Sequence, residues 1–342
     1  MKIAQIIAGA PAGGAELFFE RLTLALHAAG EEVLPVIRRD PARAARLAAG
    51  GAAPLQLGFG GPLDLLTRPR LAAALRRFAP RVAIAWMNRA ARFAPRGDWV
   101  LAGRLGGYYD LSYYRHCDHL IGNTAGIAGW IAAQGWPAGR VHHLPNFTPD
   151  MGGAAPAARA ALGIGADVPV LLALGRLHRN KGFDVLIRAL ADLPGMHAVI
   201  AGEGPERAAL TALAAQCGVA ARVHLPGWRD DTAALFAMAD LFVCASRIEP
   251  LGNMVLEAFS AARPVVAAAA DGPREVIRDG EDGVLVPTED AKALAAAIAA
   301  LCADPARAAH LAARARGRYE AEFAPAPVLA RWRNFLATVE KA

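Results

Sequence analysis

Short apolar runs alternate with helical stretches along most of this chain of 342 residues, and this alternation constrains the fold more than any other feature. The run KIAQIIA (2–8) indicates a strand. Residues 15–30 place apolar side chains at helical spacing before Gly30, a residue that commonly ends helices. Further helices are predicted over 63–78 and 124–135. Strands that are apolar throughout are typical of parallel sheets covered by helices on both faces. The pattern therefore predicts the α/β class with doubly wound sheets.

The alternation breaks once, in a stretch rich in Gly, Pro and Ala over 146–166, and then resumes. A chain of 342 residues is long enough for two domains that each bury a core. We therefore predict an N-terminal Rossmann-like domain over 1–150 and a C-terminal one over 166–325, with a cleft between them. This scheme leaves the final helix, within 326–342, free to pack back on the first domain.

Cysteine usage, hydropathy and charge narrow the class of protein. Four cysteines stand far apart without a C-x-x-C pair, which argues against a disulfide framework or a zinc site and favours a reducing cytosol. No apolar run approaches the roughly 20 residues that a membrane span needs, and we interpret the apolar start as a first strand rather than a signal peptide. Lys and Arg outnumber Asp and Glu by 37 to 31. On charge alone, this basic excess suits nucleic acid, an anionic membrane surface or a phosphate-bearing ligand, and equally an ordinary soluble surface. Our overall prediction includes no nucleic-acid partner.

Ligands of doubly wound sheets bind at the carboxyl ends of the strands, so the loops that follow strands are the places to search. The loop AGAPAGGAE (8–16) carries Gly13 and Gly14 before a helix, where backbone amides can approach an anion closely. It lacks the G-x-G-x-x-G dinucleotide pattern, and a tight turn would explain it as simply. The loop LGRLHRNKGFD (174–184) carries Arg176 and Lys181, which can converge on a diphosphate. The alternative is a solvated cationic loop.

The stretch SRIEPLGNMVLEAFSAARPVVA (246–267) places two glutamates, Glu249 and Glu257, around the start of a helix. We expect Asn253 to cap this helix and Gly252 to turn backbone amides outward, so that an anion can sit at the helix N-terminus. Glu257 would lie about one turn into the helix, within reach of ribose hydroxyls beside that anion. An acid near a helix start also stabilises the helix dipole by roughly 0.3–1 kcal/mol, which accounts for Glu257 but not for Glu249.

Glu249 and Glu257 together resemble the E-x7-E pattern of the retaining glycosyltransferases with the GT-B fold, glycosyltransferase family 4. Other stretches resemble that family's motifs and occur in its order: VHHLPNF, GRLHRNKGFDVLIRAL, GEGPER, VHLPGW, EPLGNMVLEAFSAARPVVA and DGPREVIRDGEDGVLVP. Each motif alone is weak, but the ordered set is specific. The resemblance covers nearly the whole chain and is strongest over 170–290.

The resemblance implies a role for each candidate residue. Arg176 and Lys181 would bind the donor diphosphate and stabilise the leaving nucleotide, Glu249 would face the donor sugar, and Glu257 would hold the ribose. The backbone amides of Leu251, Gly252, Asn253 and Met254 would line the donor sugar and phosphates. Gly13 and Gly14 would approach the phosphates, and Gly227, Trp228 and Arg229 would lie beside the base. Such enzymes use the nucleotide sugar as co-substrate and need no metal or other cofactor, because cationic side chains and helix N-termini supply the electrostatics.

The chain departs from the family in its N-terminal half. The family often has a histidine there that touches the donor sugar, whereas no histidine occurs between 28 and 115. Asn88 and Arg104 occupy plausible strand-end positions instead. With Arg89 and Tyr108 they form our predicted acceptor-side set, in which arginines pair with acceptor phosphates or carboxylates and aromatic rings pack on sugar faces. Contact with anionic lipid headgroups and a purely structural role are the alternatives.

The function implied by the resemblance is metal-independent, retaining hexosyl transfer in the cytoplasm, including the inner face of the cytoplasmic membrane. A sugar would move from a nucleotide-diphosphate sugar to a glycan or glycolipid acceptor, in the synthesis of bacterial lipopolysaccharide or another surface polysaccharide. A GT-B sugar-nucleotide epimerase and a non-catalytic nucleotide-sugar-binding partner are the alternatives. A nicotinamide dehydrogenase is disfavoured because the dinucleotide pattern is missing.

Overall fold

The structure is a computed structural model in which residues 1–10, 13–61 and 64–341 are described. Its contacts divide the chain into two compact units. Unit 1 comprises Met1–Phe147 and Pro325–Ala342, and unit 2 comprises Thr148–Ala324. The chain therefore leaves the first unit at Phe147 and returns to it with its last helix. Strands and helices are numbered below along the whole chain.

Unit 1 contains a parallel sheet with helices packed on it. Its strands are β1 (Lys2–Ile7), β2 (Glu32–Arg38), β3 (Leu55–Leu57), β4 (Val82–Trp86), β5 (Val100–Leu105), β6 (His119–Gly122) and β7 (Val141–His143). Its helices are α1 (Gly14–Ala28), α2 (Pro41–Ala49), α3 (Thr67–Phe78), α4 (Met87–Phe93), α5 (Ala125–Ala133) and α13 (Pro325–Thr338), with 3-10 turns at Leu111–Tyr114 and Ala138–Arg140. Among the described residues the strand order is β3-β2-β1-β4-β5-β6-β7.

Unit 2 repeats this architecture. Its strands are β8 (Val170–Leu174), β9 (His197–Ala201), β10 (Val223–His224), β11 (Leu241–Cys244), β12 (Val265–Ala268) and β13 (Val284–Val286). Its helices are α6 (Phe183–Leu190), α7 (Arg207–Gln216), α8 (Thr232–Met238), α9 (Asn253–Ser260), α10 (Asp271–Val276), α11 (Ala291–Ala303) and α12 (Pro305–Arg318). The 3-10 turns are Arg159–Leu162, Arg179–Lys181 and Ala220–Arg222, and a π-turn spans Tyr319–Phe323. The strand order is β10-β9-β8-β11-β12-β13, again parallel throughout.

The predicted fold class, two doubly wound α/β sheets, is confirmed. The central strands β4 and β8 are buried along their whole length, because helices cover both faces of each sheet. The predicted helix over 15–30 is α1, and Gly30 follows it with a φ of 87°. The helices predicted over 63–78 and 124–135 correspond to α3 and α5, although residue 63 lies outside the described residues.

Each unit has a hydrophobic core on both faces of its sheet. In unit 1, α13 shares one of these cores with α1: Trp332 and Leu336 are fully buried with Phe18 and Leu22. The last helix is therefore part of the first unit's core.

The strand orders locate the place in each unit where a ligand would bind. In a doubly wound sheet, successive crossovers run to opposite sides of a starting strand, and a crevice opens beside it at the carboxyl edge. In unit 1 this switch point lies between β1 and β4, and in unit 2 it lies between β8 and β11. The loops that follow these four strands are the first candidates for a functional site.

Within 1–10, 13–61 and 64–341, no single helix is long and apolar enough to cross a membrane. The pair Ala291–Ala303 and Pro305–Thr338, bent by 101°, meets the length and composition requirement only when taken together.

Candidate functional site

The loops after β8 and β11 meet at the switch point of unit 2 and are joined by their backbones. The amides of Arg247 and Ile248 both donate to the carbonyl oxygen of Asn180, at 2.8 and 3.2 Å. On the other side of Lys181, a Cβ added to Gly182 would lie 2.0 Å from the carbonyl oxygen of Ala245. Gly182 also has a φ of 63°, so both its conformation and its surroundings require glycine.

Lys181 and Glu249 lie opposite each other across this junction and form an ion pair. Their side chains are only 20% and 11% exposed, which shields the pair from water on most sides. The other carboxylate oxygen of Glu249 accepts a 3.3 Å hydrogen bond from the amide of Gly252. Gly175 borders the same place, since a Cβ there would lie 3.2 Å from Lys181 Cε and 3.5 Å from Met254 Sδ. Four predicted positions are thus brought together: Lys181 from one motif, and Glu249, Gly252 and Met254 from a distant one.

Helix α9 begins at this junction, but not with the predicted cap. Gly252 is the N-cap residue, with a φ of 84°, and Asn253 is already the first helical residue. The prediction that Asn253 caps the helix is therefore wrong. The left-handed glycine turns the chain straight into the helix, which places Asn253 one position too late for that role. The helix N-terminus, with its partial positive charge, lies next to Lys181 and Glu249.

The loop before α9 packs closely against another glycine, in α10. A Cβ on Gly272, in α10, would lie 2.4 Å from the carbonyl carbon of Leu251 and 2.6 Å from the carbonyl oxygen of Glu249. The amide of Gly272 donates to that same oxygen at 2.7 Å. Leu251 is itself 6% exposed and packs in the core. Glu249 therefore stands on a loop whose backbone is fixed at both ends.

Glu257 lies one turn into α9 and is 8% exposed. Its Oε1 accepts a 3.5 Å hydrogen bond from the hydroxyl of Thr148. The structure thus places Glu249 in the loop and Glu257 in the helix. The ribose-binding role of Glu257 stays a prediction.

Arg176 is exposed and follows Gly175 directly. Across the described residues it has no ion-pair or hydrogen-bond partner, so its guanidinium is available to a ligand anion. The structure does not bring it into contact with the Lys181–Glu249 pair.

The loop predicted to lie beside the base is linked to the same region by contacts between three glycines, Gly175, Gly202 and Gly227. A Cβ on Gly202 would lie 1.9 Å from the carbonyl oxygen of Gly175, and the amide of Gly202 donates to the carbonyl oxygen of Gly227 at 2.8 Å. Trp228, beside Gly227, is 66% exposed, and its indole N–H donates to Asp230 at 2.8 Å. The Arg229 guanidinium pairs with Asp231 and lowers the pKa of that carboxyl. Trp228 therefore offers an exposed ring, whereas Arg229 already has a partner.

In unit 1, the glycines after β1 surround a buried carboxylate. Glu16, in the first turn of α1, is 7% exposed and accepts a 2.8 Å hydrogen bond from the amide of Ala10. A Cβ on Gly9 or Gly13 would lie 2.1 or 2.3 Å from its oxygens. Gly13 is the N-cap and Gly14 the first residue of α1, as their predicted place before a helix requires. Gly13 thus makes room for Glu16, and its approach to donor phosphate stays a prediction.

The predicted acceptor-side residues of unit 1 have unequal surroundings. Asn88 follows β4 and accepts a 2.8 Å hydrogen bond from the hydroxyl of Tyr114. Arg89 is exposed on α4. Tyr108 is 47% exposed and stands edge-on to Trp130 at 5.5 Å.

Arg104 is the exception in this set, because it is 1% exposed. Its guanidinium lies 4.2 Å from the Trp86 ring centroid and 5.0 Å from that of Phe18, and it donates to the side chain of Asn146. Burial lowers its pKa to about 9. The structure thus gives Arg104 a packing role between two rings, and its contact with an acceptor stays a prediction.

Sequence reasoning missed Arg247, whose side chain bridges three loops of unit 2. It also assigned no individual role to Gly202, where the close approach of the Gly175 carbonyl oxygen requires a glycine. A glycine at a strand end followed by a helix could have signalled the role of Gly202. Nothing in the sequence pattern signals the role of Arg247. No group of three or more His, Cys, Asp or Glu side chains in the described part of the chain is arranged to hold a metal ion.

Comparisons with known proteins match most of the chain. Residues 155–318 match the family described as glycosyl transferases group 1. The chain is 37% identical over 332 residues to the lipopolysaccharide core biosynthesis glycosyltransferase LpsE of Rhizobium meliloti, covering 95% of this chain and 96% of that protein. It is 36% identical over 318 residues to the lipopolysaccharide core biosynthesis glycosyltransferase LpsD of the same organism. That match covers 92% of this chain and 91% of LpsD.

Solved structures agree on the fold. The crystal structure of Anabaena HepE in complex with UDP-glucose matches with a TM-score of 0.85 at 22% identity, over 99% of this chain and 100% of that one. This similarity confirms the predicted GT-B fold class.

Proposed function

Because this chain belongs to the group 1 glycosyltransferases, we propose that it transfers a hexose from a nucleotide-diphosphate sugar to a glycan or glycolipid acceptor with retention of anomeric configuration. The observation that carries this proposal is the junction in unit 2, where Lys181, Glu249 and the N-terminus of α9 meet at the switch point. An ammonium group and a helix N-terminus attract a diphosphate, and a neighbouring carboxylate accepts hydrogen bonds from sugar hydroxyls.

The proposed mechanism assigns one task to each group. Lys181, Arg176 and the first amides of α9 neutralise the charge that develops on the leaving diphosphate. Glu249 fixes the donor sugar through its hydroxyls, and Glu257 holds the ribose. The acceptor hydroxyl attacks the anomeric carbon as the bond to the leaving phosphate breaks, and that phosphate takes the acceptor's proton on the same face. No enzyme carboxylate acts as a base, and no metal is needed because the cationic side chains supply the charge.

The similarity to LpsE and LpsD supports lipopolysaccharide core synthesis, or synthesis of another bacterial surface polysaccharide, as the process. The HepE complex supports UDP-glucose or a related nucleotide sugar as the first donor to test.

The test is a thermal-shift screen with UDP-, GDP- and ADP-sugars, followed by assays of free nucleotide release with candidate acceptors. A ligand that binds only the folded protein raises the melting temperature by mass action. Acceptor-dependent nucleotide release supports the transferase. Interconversion of two donor sugars without acceptor would indicate an epimerase, and binding without turnover would indicate a non-catalytic partner. No stabilisation by any nucleotide sugar would refute the proposal.

We further propose that unit 1 contacts the inner face of the cytoplasmic membrane, as expected for a protein acting in the cytoplasm on a glycolipid acceptor. Charge is distributed unevenly: unit 1 has 20 Lys and Arg against 10 Asp and Glu, and unit 2 has 17 against 21. Residues 64–115 alone hold ten arginines and three aspartates. In the same stretch Leu65 and Leu66 are 81% and 59% exposed. Exposed apolar side chains beside arginines suit an anionic lipid surface.

The membrane contact is tested by cosedimentation with phosphatidylcholine vesicles that do or do not contain phosphatidylglycerol. We expect binding only to the anionic vesicles, and weaker binding at higher salt because screening shortens the range of the attraction. The double variant Leu65→Ser/Leu66→Ser should bind less, whereas Leu17→Ser, at a position 46% exposed elsewhere in unit 1, should bind like the wild type. Equal binding to both kinds of vesicle would contradict the proposal.

A further inference from the structure

We propose that Arg247 is a positioning residue that sets the geometry between Lys181 and Glu249. Arg247 lies two residues before Glu249, in the loop after β11, and its side chain is 18% exposed. It extends to the loop after β8, where Lys181 lies. The proposal rests on the proposed function of this site, since it names the residue that holds the two charged groups in place.

The first observation is that residues 247 and 248 hold the chain immediately before Lys181. The carbonyl oxygen of Asn180 accepts from the amides of Arg247 and Ile248, at 2.8 and 3.2 Å. The carbonyl oxygen of the preceding residue, Arg179, accepts a 2.9 Å hydrogen bond from Nη1 of Arg247. Two successive peptide groups that precede Lys181 are therefore fixed by residues that precede Glu249. Any shift of Arg247 changes the separation of the two charged groups.

The second observation is that the guanidinium is itself fixed by carboxylates on two further elements. Its Nη1 and Nη2 donate to Oδ1 and Oδ2 of Asp184, in the first turn of α6, both at 2.7 Å. Its Nε donates to Oε1 of Glu289, in the loop after β13, at 2.8 Å. These contacts raise the pKa of Arg247 and lower that of Asp184. One side chain thus joins the loops after β8, β11 and β13.

The third observation concerns Glu289, which has a φ of 63°. A left-handed conformation at a residue other than glycine is unfavourable and persists only where other contacts hold it. The carboxylate of Glu289 accepts a hydrogen bond from Nε of Arg247. The residue with the unfavourable backbone conformation is therefore also the one that makes this contact.

These contacts require the planar fork of arginine. All three guanidinium nitrogens are used, and the two Nη atoms donate to different oxygens of Asp184. A lysine at this position would keep the positive charge but could not contact Asp184, Glu289 and the Arg179 carbonyl in this geometry. Charge and geometry can therefore be separated by substitution.

The consequence for catalysis follows from how strongly reaction rates depend on position. A misplacement of about 1 Å in a catalytic group can lower the rate by about 100-fold. Without the Arg247 side chain, the loop with Lys181 keeps its backbone contacts at Asn180 and Gly182 but loses the hydrogen bond to the Arg179 carbonyl. We expect the turnover number to fall by about 10- to 100-fold, with a smaller change in KM for the donor, because Arg176 and the helix N-terminus still attract the diphosphate.

The experiment compares wild type, Arg247→Met, Arg247→Lys and the control Arg314→Met. Arg314 also lies in unit 2 but makes one exposed ion pair, with Glu281 at 3.8 Å. Initial rates over a range of donor concentrations give kcat and KM, and melting temperatures in the presence and absence of UDP report folding and nucleotide binding. We expect both Arg247 variants to lose kcat while UDP still stabilises them, and Arg314→Met to match the wild type. Full activity of Arg247→Lys, or a kcat of Arg247→Met within twofold of wild type, would overturn the inference.

A double-mutant cycle keeps the inference testable if Arg247→Met is poorly folded. Asp184→Asn removes the main partner of Arg247, and Arg247→Lys/Asp184→Asn completes the cycle with the milder arginine variant. If Arg247 acts through Asp184, the double variant should lose little more kcat than the stronger single variant. Losses that multiply would overturn it. Should the wild type itself bind no nucleotide and turn over no donor, the proposed function fails instead, and the two failures are distinguished.

Discussion

Gly182→Ala tests whether the two loops of the unit 2 site are held together by backbone contact. The added methyl group would lie 2.0 Å from the carbonyl oxygen of Ala245, at a residue whose φ is 63°. Gly163→Ala is the matched control, because Gly163 has a φ of 69° and its added Cβ would have no neighbour within 4 Å. Both variants incur the left-handed cost of roughly 1–2 kcal/mol. Only Gly182→Ala adds a backbone clash, and overpacking costs roughly 1–3 kcal/mol.

We therefore expect Gly182→Ala to lower the free energy of unfolding by about 2–5 kcal/mol and Gly163→Ala by about 1–2 kcal/mol. In a domain of this size each kcal/mol corresponds to about 2–4 °C in melting temperature. Urea unfolding and thermal scans measure the difference, and steady-state rates measure the effect on the site. Gly182→Ala should also lose kcat, because relief of the clash moves Lys181 away from Glu249. Equal destabilisation by both variants would refute the reasoning, since it would mean that the loops separate freely.

Three further predictions concern the site and its support. Lys181→Met should lower kcat by about 100-fold or more, as expected for removal of a group that stabilises transition-state charge, and turnover equal to wild type would rule out its assigned role. Trp332→Ala should lower the stability of unit 1 by about 3–5 kcal/mol because Trp332 is fully buried; a loss below 1 kcal/mol would contradict the place of α13 in that core. Burial and the neighbouring His119 lower the pKa of His142 to about 4, below the ordinary value of about 6.5. The unfolded chain then binds more protons than the folded one, so stability should fall as pH drops from about 6.5 towards 4, and His142→Phe should reduce that slope in urea titrations at each pH.

The fold was predictable because the strands of a doubly wound sheet require a recognisable sequence pattern. A strand covered on both faces needs apolar residues throughout, and β4 and β8 show why VAIAW and VLLAL are continuous runs. The helix end at Gly30 was predictable for a similar local reason, since a left-handed residue favours glycine. Local chemistry did not decide the cap of α9. Asn253 and Gly252 can each serve as a cap, and only the conformation of the loop before them selects Gly252.

The candidate site was only partly predictable, because its contacts join residues far apart in the chain. Lys181 and Glu249 were assigned from separate motifs, and their pairing depends on the adjacency of β8 and β11. Arg247 shows the limit most clearly. Its partners Asp184 and Glu289 lie 63 and 42 residues away, and a single arginine between serine and isoleucine carries no pattern that identifies them. Arg104 shows the opposite case, since its strand-end position suggested a ligand contact whereas its side chain packs between Trp86 and Phe18.

Glu249 and Glu257 differ in what holds them in place, and this difference bears on the separate tasks that we propose for them. Glu249 stands on a loop, and its carboxylate is held by Lys181 and the Gly252 amide, so its position depends on the junction between loops. Glu257 belongs to α9, whose Leu256 and Phe259 are fully buried, so its position depends on the core of unit 2. A shift of the loop after β8 therefore moves the partner of Glu249 and leaves Glu257 in place. Loss of Arg247 should consequently affect the handling of the donor sugar while binding of the nucleotide persists, which is why kcat with the donor and stabilisation by UDP must be measured on the same variants.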